Sequence, residues 1–381
     1  MKNKIGILTY HFTNNYGGLL QAYSLQKFLR NKGYNVDFIN YLPKHVEQGG
    51  NYLNIFNLKN LKGNIKIFYM KIINFYINNF LDKKFLLKFD NFRKKKLGIS
   101  SYKVNNSLDL KKISSKYKIL IAGSDQIWST SEQFGLDKNY FLDFSPNTIN
   151  ISYAASFGKD KIEKKYYSEV KNLIKNFNKI SVREKSGFNL LTKLTNNKIT
   201  LAPDPTFLID NFDSILPKKK FVKDDYIFCY NLRSDYLVRK LSLFLSKKYN
   251  LPIFSPFNVN RRWPQIGKTV YPGPEEWLSL MKNSKFIVTN TFHGVVFSIL
   301  FKKEFIAARL PGNKKVYSDR IINLLNELGV NYRYIVSNDQ KKIINALNKK
   351  IDWDYIDKNI NKLKKNGENF IIKSLKEIEY A

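Results

Sequence analysis

Phe286-Ile287-Val288-Thr289-Asn290-Thr291-Phe292-His293-Gly294-Val295-Val296-Phe297-Ser298-Ile299-Leu300-Phe301 reads as a short buried strand, a polar turn and an apolar helix. Only three histidines occur in the 381 residues, and His293 stands at this strand-to-helix junction. A helix that begins here aims backbone N–H groups and the positive end of its dipole past the strand tip, which suits a phosphate or carboxylate. Its apolar neighbours equally fit a core histidine.

The same β-turn-α pattern recurs outward from this stretch. Ile5 to Tyr10 is a short strand, and a polar loop from His11 to Tyr16 leads past Gly17 and Gly18 into a helix with apolar residues at Ala22, Leu25, Phe28 and Leu29. Lys32-Gly33 stops that helix, and Val36 to Tyr41 is a second strand. Further strands are expected at 117–122, 149–158 (with a turn at its end), 179–184, 226–230, 251–254 and 332–336. Helices are expected at about 161–177, 237–249, 274–281 and 321–328, with a charged amphipathic helix from Asp354 to the end. Alternation of this kind argues for parallel sheets, hence an α/β fold of two Rossmann-like domains facing a cleft. The expected boundaries are 1–210 with a helical insertion at about 51–93, a second domain at 225–345, and a terminal helix at 350–381. The Lys-rich stretch 211–225, with Pro217, is the linker.

Composition narrows the class. Lys and Arg number 65 against 31 acidic residues, a formal charge of +34, which attracts phosphates, acidic glycans or anionic lipid. The lysines are dispersed rather than gathered on one stripe, so composition alone does not name the partner. Residues 65–77 alternate apolar residues with lysines at helical spacing, as either an interfacial membrane helix or a helix packed on the domain edge. Cys229 is the single cysteine and lies in a strand-like run, which fits a reducing cytoplasm. The first strand is too brief for a signal peptide, and no apolar run approaches the ~18 residues of a membrane span. Walker A, GxGxxG, CxxC and HExxH sequences are missing, the histidines are too few and dispersed for a zinc site, and no nucleic-acid module is recognisable.

In open parallel sheets ligands gather beyond the carboxyl ends of the strands. That rule nominates His11, Asn14, Asn15, Asp125, Arg183, Asp204 and His293. Each has a structural alternative: His11 and the asparagines as helix caps, Asp125 as a turn residue, Asp204 as part of a rigid Pro203-Asp204-Pro205 turn. Arg183 closes a buried strand and therefore needs a carboxylate partner or a bound anion.

Six stretches in register resemble the polysaccharide pyruvyl transferase family. They are Gly6 to His11 with Asn14 to Gly17 and Leu20 to Tyr23; Gly123-Ser124-Asp125-Gln126-Ile127-Trp128; Tyr153 to Gly158; Ser181-Val182-Arg183-Glu184; Asp204-Pro205-Thr206; and Asn290-Thr291-Phe292-His293-Gly294. The resemblance covers about residues 4 to 330. It implies a GT-B-like glycosyltransferase architecture and transfer of the enolpyruvyl unit of phosphoenolpyruvate onto a sugar of a cell-surface polysaccharide or its lipid-linked precursor. A pyruvate ketal forms and phosphate leaves.

For that reaction His293 is expected as general acid or phosphate partner and Asp125 as base or hydroxyl acceptor. Arg183 and Arg320 would clamp the donor with Thr291 and Gly294 beside them, while His11, Asn15 and Tyr16 would line the acceptor side. Thr291 stands where better-known members carry an arginine. Phosphoenolpyruvate is then a substrate, with no cofactor and no metal. The expected location is the cytoplasm, with peripheral contact at the inner face of an anionic membrane. Two other readings stay open for this fold, a nucleotide-sugar-dependent glycosyltransferase and a non-catalytic binder of glycan or membrane surface.

Overall fold

The computed structural model describes residues 4–43, 83–131, 133, 135–159, 161–231, 235–257, 266–310 and 319–379, with isolated positions between 61 and 75. Residues 1–208 with 366–381 form one compact unit, and residues 209–365 form the other. The expected helix at 65–77 lies largely outside the described residues.

The first unit contains β1 (Lys4–Leu8), α1 (Tyr16–Asn31), β2 (Asn35–Phe38), α2 (Lys83–Phe92), α3 (Ser107–Ser114), β3 (Ile119–Ala122), β4 (Ile149–Ala155), α4 (Tyr167–Leu173), β5 (Lys179–Val182), α5 (Lys185–Leu191) and β6 (Ile199–Leu201). Its sheet runs β2-β1-β3-β4-β5-β6, and the pairings are parallel. Every residue of β3 is buried, as a parallel strand covered on both faces requires.

Helix α1 starts one turn earlier than the glycines suggest. Asn15 takes an extended conformation and its side chain accepts from Gly18 N–H at 3.2 Å, so Tyr16, Gly17 and Gly18 are already helical. The helix ends where Gly33 turns left-handed, at φ +83°. In place of one helix over 161–177 there is α4, flanked by 3₁₀ turns at Lys164–Tyr166 and Ile174–Asn176. Within this stretch the core takes Val170, Leu173, Ile174 and Phe177, so only its last turns have an apolar face to bury.

In the second unit the chain forms β7 (Ile227–Tyr230), α6 (Tyr236–Tyr249), β8 (Ile253–Pro256), β9 (Lys268–Val270), α7 (Pro274–Asn283), β10 (Phe286–Thr289), α8 (Phe292–Leu300), β11 (Glu304–Ala308), α9 (Asp319–Glu327), β12 (Tyr334–Ile335) and α10 (Gln340–Asn348). Its sheet order is β12-β11-β10-β7-β8-β9, again parallel. Cys229 is buried in β7 as expected. Strands β6, β9 and β11 and helices α3, α5 and α10 go beyond the sequence reading. The last helix, α11 (Trp353–Glu379), begins among residues of the second unit and belongs to the first from Asn366 onward.

In each sheet the strand order reverses once. In the first unit the chain departs to opposite sides from β1 and β3, and in the second from β7 and β10. Such switch points open a crevice at the carboxyl ends of the two central strands. Asp125 follows β3, and His293 follows β10.

Candidate functional site

In the first unit the strand tips are tied together by hydrogen bonds. Thr9, after β1, donates through Oγ1 to the Ser124 carbonyl at 2.8 Å, and Gln21 of α1 donates to Thr9 Oγ1 at 3.2 Å. Ser124 in turn donates to the Ala154 carbonyl of β4 at 2.8 Å. Gly123 makes this approach feasible, because a β-carbon there would stand 2.3 Å from the Tyr153 carbonyl oxygen. Beyond the turn, Trp128 anchors the loop by stacking on Phe141 at 5.1 Å and donating Nε1–H to the Tyr140 carbonyl at 3.0 Å.

Asp125 is thereby held in a left-handed conformation, φ +78°, which costs a non-glycine residue on the order of 1–3 kcal/mol. Its carboxylate lies against the first turn of α1, since a β-carbon on Gly18 would meet Oδ2 at 3.4 Å. A negative charge is favourable at that end of a helix. Arg183, after β5, completes the arrangement: Nη2 donates to Ser124 Oγ at 2.6 Å and lies 3.2 Å from Asp204 Oδ2, and Nη1 lies 3.6 Å from Asp125 Oδ1. Asp204 is fixed by Thr206, whose N–H and Oγ1–H reach Oδ1 at 3.1 and 2.8 Å. The Arg183 side chain is 2% exposed. One cation thus faces two carboxylates, the carboxylate partnership that a buried arginine at a strand end calls for. Its charge is engaged within the protein, and it fixes Asp125.

The expected acceptor residues are occupied by the protein itself. His11 is 1% exposed, with Nδ1 3.0 Å from the Thr9 carbonyl and Nε2 3.0 Å from Asn40 Oδ1. Burial lowers its pKa, the hydrogen bonds to Asn40 and Thr9 oppose that, and Arg93 adds to the lowering. Asn15 is the N-cap of α1, and Tyr16 is buried against Phe89 with ring centroids 5.2 Å apart. His11 and Tyr16 are buried, and Asn15 is half-buried at the helix end. Arg93, which the sequence gives no reason to single out, secures the loop between β1 and α1. It donates to the carbonyls of His11, Phe12 and Thr13 at 2.7, 3.0 and 2.9 Å and to Asn14 Oδ1 at 2.7 Å.

In the second unit Thr291 is the N-cap of α8, accepting the Gly294 N–H through Oγ1 at 2.8 Å, with Thr289 Oγ1 3.0 Å away. A β-carbon at Gly294 would stand 2.1 Å from Thr289 Oγ1, so only glycine lets this turn of helix approach β10. At Thr291 and Gly294 the side-chain oxygen and the N–H are joined to each other. What the cap leaves at the strand tip is the positive end of α8, with Asn290 wholly buried beneath it. His293 is the second helical residue, 8% exposed, its ring 5.3 Å from that of Phe292. The guanidinium of Arg320, in the first turn of α9, lies 5.4 Å over the Phe292 ring. His293 and Arg320 thus each neighbour the Phe292 ring at the N-terminus of α8, an end of a helix that favours negative charge.

Known structures share this architecture. The chain is similar to the UDP-GlcNAc 2-epimerase of Methanocaldococcus jannaschii (15% identity, all of both chains, TM-score 0.53) and to that of Neisseria meningitidis bound to UDP-GlcNAc (10% identity, 99% of this chain and all of that one, TM-score 0.52). A further UDP-N-acetylglucosamine 2-epimerase matches at TM-score 0.55 with 10% identity, over 100% of this chain and 98% of the other. At these identities the likeness shows the fold alone, two Rossmann-like units of GT-B type. No curated protein matches the sequence. Residues 15–309, which include both strand-tip clusters except Thr9, His11 and Arg320, match the polysaccharide pyruvyl transferase family. With a match over most of its length, the chain belongs to the polysaccharide pyruvyl transferase family.

Proposed function

We propose that the protein transfers the enolpyruvyl unit of phosphoenolpyruvate to a sugar of a cell-surface polysaccharide or its lipid-linked precursor. The observation that carries this reading is the Thr291-capped N-terminus of α8, with His293 in its first turn and Arg320 beside it. A donor that bears both a carboxylate and a phosphate needs fixed positive potential, and guanidinium with a helix N-terminus supplies it.

In this scheme one sugar hydroxyl adds to C2 of the enol and C3 takes a proton, for which His293 is the acid. A second hydroxyl then displaces phosphate from C2 and closes the ketal, and the hydroxyl protons leave through a base and with phosphate. Asp125 is the base, held in place by Arg183 and the first turn of α1. The formal charge of +34 suits an acidic glycan, or the anionic inner face of a membrane that presents a lipid-linked one. No helix among the described residues is long and apolar enough to cross a membrane.

Ligand-dependent melting tests the donor. Phosphoenolpyruvate at a hundredfold excess over its Kd should stabilise the protein by about 2.7 kcal/mol, and Arg320→Ala should abolish the shift. A shift with UDP-sugars and none with phosphoenolpyruvate would replace this reading with that of a nucleotide-sugar transferase.

A further inference from the structure

Gly367 sits in the interior of α11, a helix of 27 residues that lies beyond the span matching the family. Glycine within a helix is less favourable than alanine, so its presence calls for a contact that a β-carbon would break. The contact is visible. A β-carbon on Gly367 would stand 2.5 Å from the Tyr153 hydroxyl oxygen, 2.9 Å from Leu208 Cδ2 and 3.0 Å from Pro203 Cδ. Leu208 can rotate away, whereas the proline ring and the buried tyrosine cannot. Pro203 is the residue before Asp204, in the rigid turn that presents the Asp204 carboxylate to Arg183.

The same end of α11 is tied down twice more in this unit, by the ring of Phe370 at 6.3 Å from that of Tyr153 and by the ion pair between Glu377 and Lys179 of β5. Tyr153 itself is fully buried, and among the described residues its hydroxyl has no hydrogen-bond partner. Burial and the nearby Asp204 charge push its phenol well above the ordinary range, so it stays neutral. Its hydroxyl therefore acts here as bulk pressed against the helix.

We propose that Gly367 is a positioning residue: by letting α11 close onto Pro203 and Tyr153, it fixes the Asp204 carboxylate, and through Arg183 the place of Asp125. Its consequence for turnover rests on the function proposed above, while its geometric content does not. Misplacing a reacting group by about 1 Å can lower a rate by up to ~100-fold.

The test is a three-variant comparison by crystal structure and by phosphate release from phosphoenolpyruvate with a glycan acceptor. Gly367→Ala should open the Arg183–Asp204 contact and lower kcat at least ~10-fold. Tyr153→Phe alone should leave both close to wild type. The double variant removes the hardest clash, and should restore contact and rate together. An intact Arg183–Asp204 contact in Gly367→Ala, or a double variant no better than Gly367→Ala, would overturn the proposal. Should Gly367→Ala fail to fold, a folded double variant with wild-type geometry supports it, and a double variant that also fails overturns it. If the wild type releases no phosphate from this donor, the donor reading fails and the crystal structures alone decide the proposal.

Discussion

Nη2 of Arg183 lies 3.2 Å from Oδ2 of Asp204, and both side chains are almost fully out of water, at 2% and 0% exposed. Removing one partner of such a pair leaves a buried charge without its counter-ion, at about 3–5 kcal/mol. Asp204→Ala should therefore destabilise the protein in denaturant unfolding, by less than that amount because Asp125 still faces Arg183 at 3.6 Å. Arg183→Ala should cost roughly the full amount, because it strands two carboxylates. If Arg183 acts in the proposed reaction by ordering Asp125, both variants should lower kcat with little change in the KM for phosphoenolpyruvate. A selective rise in KM for Arg183→Ala would return that residue to the donor site.

Thr291 tests whether the cap is its whole role. Thr291→Ala should cost about 1 kcal/mol, the usual worth of an N-cap, and Thr291→Ser should retain both stability and turnover because the hydroxyl still accepts the Gly294 N–H. Gly294→Ala should be worse than either. Its β-carbon would collide with Thr289 Oγ1 and Thr291 Oγ1 at 2.1 and 2.6 Å, and forced overpacking costs about 1–3 kcal/mol beyond the lost cap. Chemical denaturation of the three variants checks the order.

Much of this was legible in the sequence and some of it could not be. Strand-helix alternation places Asp125 and His293 at strand tips before any coordinates, because buried parallel strands and their following helices carry unmistakable apolar runs. Contacts between residues far apart in the chain leave no local signal. Nothing near His11 shows that Asn40 meets its ring, or that Arg93, 82 positions further on, takes its carbonyl. Nor does the sequence around Arg183 reveal that two carboxylates converge on it. The short strand β6 was missed because its residues are half-buried or exposed, which leaves no apolar signal.

Arg93 carries the loop between β1 and α1 on four oxygens, three of them main-chain carbonyls. Arg93→Ala should expose that loop to proteolysis and lower the melting temperature. Arg93→Lys should rescue little, since an ammonium on a flexible stem cannot reproduce the planar fork. Limited proteolysis with mapping of cuts between residues 11 and 15 reads this out.

His11 gives stability a pH dependence with a definite sign. Burial holds its folded pKa below the ordinary value of 6.5, so between those two values the unfolded chain binds more protons than the folded one. Its effect on stability is therefore absent above pH 6.5, grows as a loss when the pH falls through that value, and levels off below the folded pKa. His11→Gln should flatten this part of the stability profile in urea melts between pH 5 and 7. An unchanged slope would place the titration elsewhere.

The central claim is that His293 and Arg320 serve an enolpyruvyl donor at the N-terminus of α8. Phosphate release from phosphoenolpyruvate, measured with a glycan acceptor for the wild type and for folded His293→Ala, tests it most directly. The wild type should release phosphate in an acceptor-dependent way, and the variant should show a fall in kcat of about 10²–10⁴-fold, the usual contribution of a general acid. Release at the wild-type rate by His293→Ala would contradict it.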